Sequence, residues 1–175
     1  MKKIFLVVVL IISFFGYNFY FKYNHRVENK IISPVVNNFT TSTSETFLVT
    51  RVVDGDTIEL ENGQKVRYIG MDTPETVDPR EEVQCFGKEA SDKNKEMVEG
   101  KMVRMESDVT DKDKYGRLLR YVYVGDVFVN LELVKEGYAK IYTFPSDVKY
   151  QKLFLEAQQE AKENKLGLWG FCKKY

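Results

Sequence analysis

Apolar positions fall along this chain in three regimes: an unbroken run near the start, short β-branched stretches in the middle and a helical stripe near the end. The first regime is Ile4–Ile12, entirely apolar, with Ser13, Gly16 and Asn18 as the polar or small interruptions up to Phe21. Those 18 residues would rise about 27 Å as a helix, close to the roughly 30 Å hydrocarbon core of a bilayer. Lys2 and Lys3 precede the run and would stay in the cytoplasm, placing the rest outside. No A-x-A-like cleavage site follows. The pattern is that of an export segment over residues 1–27, either retained as a membrane anchor or removed as a signal peptide. Residues 28–46, with Pro34, Asn37, Asn38 and the run Thr40–Ser44, have no periodicity and read as a polar linker.

The second regime begins the domain at residue 47. Phe47–Leu60 is rich in Val, Ile and Thr and predicts a strand pair, or one long bent strand, around Asp54-Gly55-Asp56. Asn62-Gly63 is a hairpin signal, and Lys65–Met71 is the returning strand. Asp72–Val83, with Pro74 and Pro79, reads as a polar loop. Phe86–Glu99 reads as a helix with Phe86, Ala90 and Met97 on one face and Gly100 as its stop. Lys101–Val109 and Arg117–Val124 are strands joined by a charged turn. The third regime holds a short helix over Val129–Ala139 and a longer one over Asp147–Leu166. The stripe of the latter is Tyr150, Leu153, Phe154, Ala157 and Ala161, with Gly167 as stop. About five strands with one helix inserted and two helices at the end predict a small antiparallel barrel with packed helices, not an alternating βαβ fold.

Composition narrows the chemistry. Apolar residues are 43% and charged residues 30%, enough to build a core. Net charge is zero, but residues 1–45 hold five of the 26 basic and two of the 26 acidic residues, so residues 46–175 carry −3. Bulk positive charge therefore cannot hold nucleic acid here, and any phosphate contact must come from a few placed cations. The one histidine, His25, lies before the domain. Its position excludes imidazole-based nucleases and Ser-His-Asp hydrolases. The two cysteines, Cys85 and Cys172, are an even pair that would form a disulfide outside the cytosol, the alternative being two buried thiols.

Three clusters carry candidate chemistry: Asp54-Gly55-Asp56-Thr57, then Arg67 with Asp72-Thr73-Pro74-Glu75, then Asp113-Lys114-Tyr115-Gly116-Arg117. Each is ambiguous alone. Asp-Gly-Asp also suits a solvated turn, Asp72 to Glu75 a helix cap with Pro at the first position, and Arg117 a surface strand. Together they form a set. Converging acids need a cation, and hard oxygens suit calcium or magnesium. Two arginines suit a phosphate through their planar forks.

Residues from about Phe47 to Trp169 resemble the staphylococcal nuclease (thermonuclease) family. The order D-G-D-T, R-x(4)-D-T-P-E, D-K-Y-G-R and a V-N-x-x-L-V-x-x-G-x-A-K helix carries the likeness. The resemblance implies an OB-fold, a five-stranded barrel with three helices, and calcium-dependent cleavage of DNA and RNA that leaves 3′-phosphates. It implies that Asp56, Asp72 and the Thr73 carbonyl ligate Ca2+, with Asp54 in the shell outside them. It makes Glu75 the residue that orients or deprotonates water, and Arg67 and Arg117 the clamp on the phosphate. Lys114 and Tyr115 would contact a neighbouring phosphate, and Tyr142, with Phe144, would stack on a base. A monomer that prefers single-stranded nucleic acid is expected, in contact with membrane through its N-terminal segment alone. The alternative is a catalytically silent OB-fold module that binds nucleic acid or peptide; a calcium-bound scaffold would leave the two arginines unexplained.

Overall fold

The computed structural model describes residues 45–76 and 83–173. They belong to a compact unit spanning Thr43–Tyr175. The export segment and nearly all of the linker read from the sequence lie outside the described residues. Among the described residues no helix is long and apolar enough to cross a membrane.

The barrel is built from β1 (Thr46–Asp54), β2 (Thr57–Leu60), β3 (Lys65–Tyr68), β5 (Met102–Glu106) and β6 (Leu118–Val124). The strands run in the order β3-β2-β1-β5-β6, and a parallel pairing of β3 with β6 closes the ring. The other contacts between these strands are antiparallel. This is the expected OB-fold. The β2–β3 hairpin turns at Asn62-Gly63, where Gly63 takes a left-handed φ of 77° as this turn class requires. A two-residue β7 (Val127–Phe128) folds back to pair antiparallel with the end of β6.

Three helices pack on the barrel: α1 (Gly87–Val98), α2 (Val129–Lys135) and α3 (Gln151–Glu163), followed by a single turn α4 (Leu168–Phe171). The core is filled by β-branched and aromatic side chains, with Tyr68, Ile58, Leu60, Val66 and Tyr121 almost fully buried. Two buried asparagines bind the layers together. Asn94 on α1 accepts from the Tyr68 hydroxyl at 2.9 Å and donates to the Asp54 carbonyl at 3.2 Å. Asn130 on α2 accepts from Val122 N–H at 2.9 Å and donates to the Ile69 carbonyl at 3.0 Å.

Several boundaries differ from the sequence reading. β1 starts at Thr46, within the stretch read as linker. The long first strand breaks at Gly55-Asp56 into β1 and β2. The returning strand breaks at Ile69-Gly70, and its continuation β4 (Met71–Asp72) leaves the barrel to pair with β8 (Lys140–Ile141). α2 ends at Lys135 and α3 starts at Gln151, each shorter than its apolar pattern. Leu153 is 40% exposed instead of buried, because α3 turns the Phe154, Ala157 and Ala161 side to the barrel.

Candidate active site

The gap between β1 and β2 holds Gly55, which sits between two buried carboxylates, Asp54 and Asp56, two positions apart. A Cβ at Gly55 would lie 2.6 Å from Thr73 Oγ1, so glycine is what lets this turn rest on Thr73. The contact is completed by Asp56. Its Oδ2 accepts from both the Thr73 N–H and the Thr73 hydroxyl at 3.1 Å, and its Oδ1 accepts from the Thr57 hydroxyl at 3.1 Å. The turn after β1 and the chain after β4 are thereby bound together.

Arg67, on β3, spans two acids with one fork. Nη1 pairs with Asp56 and Nη2 reaches Asp72 at 2.7 Å. Arg67 is 9% exposed and Asp56 3%. Burial lowers the guanidinium from its ordinary pKa, and Asp72 opposes that shift. Asp54 is also buried. It accepts from the Thr76 hydroxyl at 2.6 Å and from Gly55 N–H at 2.7 Å. Burial pushes its carboxyl up; those two hydrogen bonds oppose the rise, and the neighbouring Glu75 carboxylate adds to it.

Arg117 reaches the same pocket from the turn before β6. Asp113 fixes it, accepting from Arg117 Nε at 2.7 Å, and Arg117 Nη1 donates to Thr57 Oγ1 at 3.4 Å. Asp54, Asp56, Asp72, Thr73, Glu75, Arg67 and Arg117, with Lys65, line one cavity of about 250 Å³. A wider groove of about 630 Å³ adjoins it, sharing Arg67, Asp72 and Arg117 and adding Lys112, Lys114, Tyr115, Tyr142 and Phe144. Tyr142 and Phe144 pack edge to face at 5.0 Å. Lys114 Nζ lies 5.0 Å from the centre of the Tyr115 ring. The Cys85 and Cys172 sulfurs are bonded, at 2.06 Å, and Gln84, the residue before Cys85, donates its N–H to the Glu75 carbonyl at 3.0 Å.

Among the described residues no three of His, Cys, Asp and Glu converge as a ready metal cage; Asp56 and Asp72 both turn onto Arg67. The donor chemistry nonetheless fits a hard divalent cation. Four carboxylates face three cations round the cavity, and Asp54 and Glu75 stand close enough to repel. Two residues that shape the site, Thr76 and Asn94, are not among the sequence motifs, and Thr57 and Asp113 lie inside motifs without being recognised as partners of Arg117. Thr76 and Asn94 carry no local signal, since their bonds join residues far apart in the chain.

Residues 65–170 match the family described as Staphylococcal nuclease homologue. The chain is 45% identical over 139 residues to the thermonuclease of Staphylococcus intermedius, covering 78% of this chain and 83% of that one. It is 44% identical over 128 residues to the thermonuclease of Staphylococcus hyicus, covering 71% and 76%. With the endonuclease YncB of Bacillus subtilis (strain 168) the identity is 47% over 124 residues, 68% of this chain and 59% of YncB. The chain belongs to the staphylococcal nuclease family.

Proposed function

We propose that the acidic pocket hydrolyses phosphodiester bonds of DNA and RNA with calcium as its metal, leaving 3′-phosphates. The chain is a nuclease, and nucleic acid is the substrate its family implies. The observation that carries the finer reading is the meeting of Asp54, Asp56, Asp72, Glu75, Arg67 and Arg117 in one cavity.

Asp56, Asp72 and the Thr73 carbonyl would hold calcium, with Asp54 bonding to its outer shell. Bound there, calcium supplies positive charge beside the reacting phosphoryl group. With two direct carboxylates its affinity would be weak, about 10⁻⁴–10⁻³ M, as in extracellular modules. Glu75 orients the attacking water and accepts its proton as the 5′ oxygen leaves. Arg67 and Arg117 bind the phosphoryl oxygens through N–H groups set in place before substrate arrives, so charge that develops in the transition state meets fixed donors. In the groove, Lys114 and Tyr115 meet a neighbouring phosphate, and Tyr142 and Phe144 offer ring faces to bases. Stacking on rings is tolerant of sequence and favours single strands.

The reading includes a working place outside the cytoplasm, with the N-terminal segment as anchor or cleaved signal, and a monomeric enzyme. A disulfide persists in that setting, and millimolar calcium would fill a weak site there.

The test is release of acid-soluble nucleotides from heat-denatured DNA and from RNA by the purified protein, with calcium, with magnesium and with chelator. A Glu75→Ser, Arg117→Ala variant runs beside it. We expect release with calcium that the chelator and the double substitution abolish. No release from folded protein in calcium would remove the catalytic reading and leave a binding module.

A further inference from the structure

The residue between the disulfide and the active site is Gln84, the chain neighbour of Cys85. Its N–H donates to the Glu75 carbonyl at 3.0 Å. Its side-chain Oε1 accepts from the Glu75 N–H at 3.2 Å. One residue therefore grips the Glu75 backbone through both of that residue's peptide groups. The chain after Cys85 presses on the same stretch. A Cβ at Gly87 would lie 2.8 Å from Thr76 Cγ2 and 3.1 Å from the carbonyl oxygens of Pro74 and Glu75, an approach open to glycine alone.

Phe86, between the two, is left-handed with φ 70°. A bulky residue keeps that conformation only where its surroundings over-determine it. Here the Phe86 ring lies 5.4 Å from Tyr138 and 5.8 Å from Phe171, and Phe171 directly precedes Cys172. Cys172 is buried, whereas Cys85 is exposed. The disulfide thus fastens a strained segment, braced on Glu75, to the far end of the chain 87 residues away.

We propose that Gln84 is a positioning residue for Glu75 and that the Cys85–Cys172 disulfide holds it there, so that the nuclease reaches full turnover only when oxidised. The proposal rests on the reading of Glu75 as the residue that acts on water. The switch is ordinary thiol exchange. A dithiol attacks through one thiolate at the exposed Cys85 end, and a mixed disulfide forms. Its second thiol then closes the reductant's own ring, leaving two protein thiols and a reductant oxidised by two electrons. In a reducing compartment the chain would be a weak nuclease, and it would gain activity where disulfides persist.

The test uses the full chain on single-stranded DNA in calcium. The oxidised protein is compared with protein reduced by dithiothreitol, with a Cys85→Ser, Cys172→Ser variant, and with Gln84→Ala that keeps its disulfide. Each is first shown folded by circular dichroism at the assay temperature. Displacing a reacting group slightly costs turnover more than binding, so kcat should fall about tenfold in all three while KM stays within about twofold. Reoxidation should restore the reduced sample. Glu75→Gln separates the two ways of failing. If Glu75→Gln keeps parental turnover, the role of Glu75 is wrong and the proposal falls with it. If Glu75→Gln is inactive while reduction and Gln84→Ala both leave kcat unchanged, the proposal alone is overturned. A loss in one arm without the other would break the link between disulfide and Glu75.

Discussion

The acidic pocket and the aromatic groove beside it share Arg67, Asp72 and Arg117, yet their side chains are held differently. The floor of the pocket, Asp54, Asp56, Arg67 and Thr73, is buried, and its side chains are tied to one another, with Asp56 accepting three hydrogen bonds besides its pairing with Arg67. The groove is built on turns, and its rings stand in solvent, Tyr115 71% and Tyr142 49% exposed. Side chains fixed on folding have already lost their rotamer freedom, so substrate meets them in place. Exposed rings lose theirs when a base arrives. The pocket should therefore govern turnover and the groove affinity.

The largest effect should come from the arginines. Arg67 binds Asp56 with one nitrogen and Asp72 with another, a geometry that a single ammonium cannot copy. Arg67→Lys and Arg117→Lys should each lower kcat by about 10²–10³, the cost of a lost transition-state donor. Near-parental kcat in either would show that charge suffices and the fork does not matter.

The two arginines should part company in stability. Arg67→Ala leaves a buried carboxylate without its counter-charge and should cost about 3 kcal/mol in calcium-free urea unfolding. Arg117, more exposed and paired with Asp113, should cost below about 1 kcal/mol. Calcium should restore more of the loss in Arg67→Ala, because it can replace the cation between Asp56 and Asp72. Equal losses, or equal rescue, would erase the contrast between floor and rim.

This contrast was only partly legible in the sequence. The barrel strands announced themselves through Val, Ile and Thr, and the hairpin through Asn62-Gly63. The final helix showed its stripe, in which Leu153 misled because it is apolar yet lies on the solvent side. The β4–β8 pair could not be seen, since two residues carry no periodicity and their pairing is set by the tertiary fold. Separate motifs named the acids and arginines, and the family resemblance joined them. What neither pattern nor motif supplied was the support. Thr76 bonds Asp54 across 22 positions, Asn94 reaches Asp54 across 40, and Arg117 reaches Thr57 across 60. Polar bonds between distant residues leave no mark on the local spacing of hydrophobic positions.

On the groove side, Tyr142→Ala should raise KM for single-stranded DNA about 5- to 10-fold, the low end of a base-stacking contribution, and Tyr115→Ala about 3- to 10-fold through its lost hydrogen bond to phosphate. Both rings are already partly covered by neighbours: Lys114 and Arg117 over Tyr115, and Phe144 beside Tyr142. Turnover should change little. Steady-state kinetics on a short oligonucleotide separates the two constants, and a fall confined to kcat would move these rings from the groove to the reaction.

Asp113 joins the two regions, and its effect should be the smallest. Burial pushes its carboxyl up, but hydrogen bonds from the Arg117 side chain and from the backbone of Arg117 and Tyr115 outweigh it, leaving the pKa below the ordinary 3.8. A depressed folded-state pKa means stability present above about pH 3.8 and lost as pH falls through the folded value. Solvent screening keeps the contribution below about 1 kcal/mol. Thermal unfolding of Asp113→Asn should therefore trail the parent slightly at pH 6, and the gap should close on acidification below the ordinary value. If the gap held at pH 2, the turn would depend on the shape of Asp113 and not its charge. Arg117 would then be placed by backbone hydrogen bonds, and the pocket would owe its second arginine to the groove's turn instead of to an ion pair.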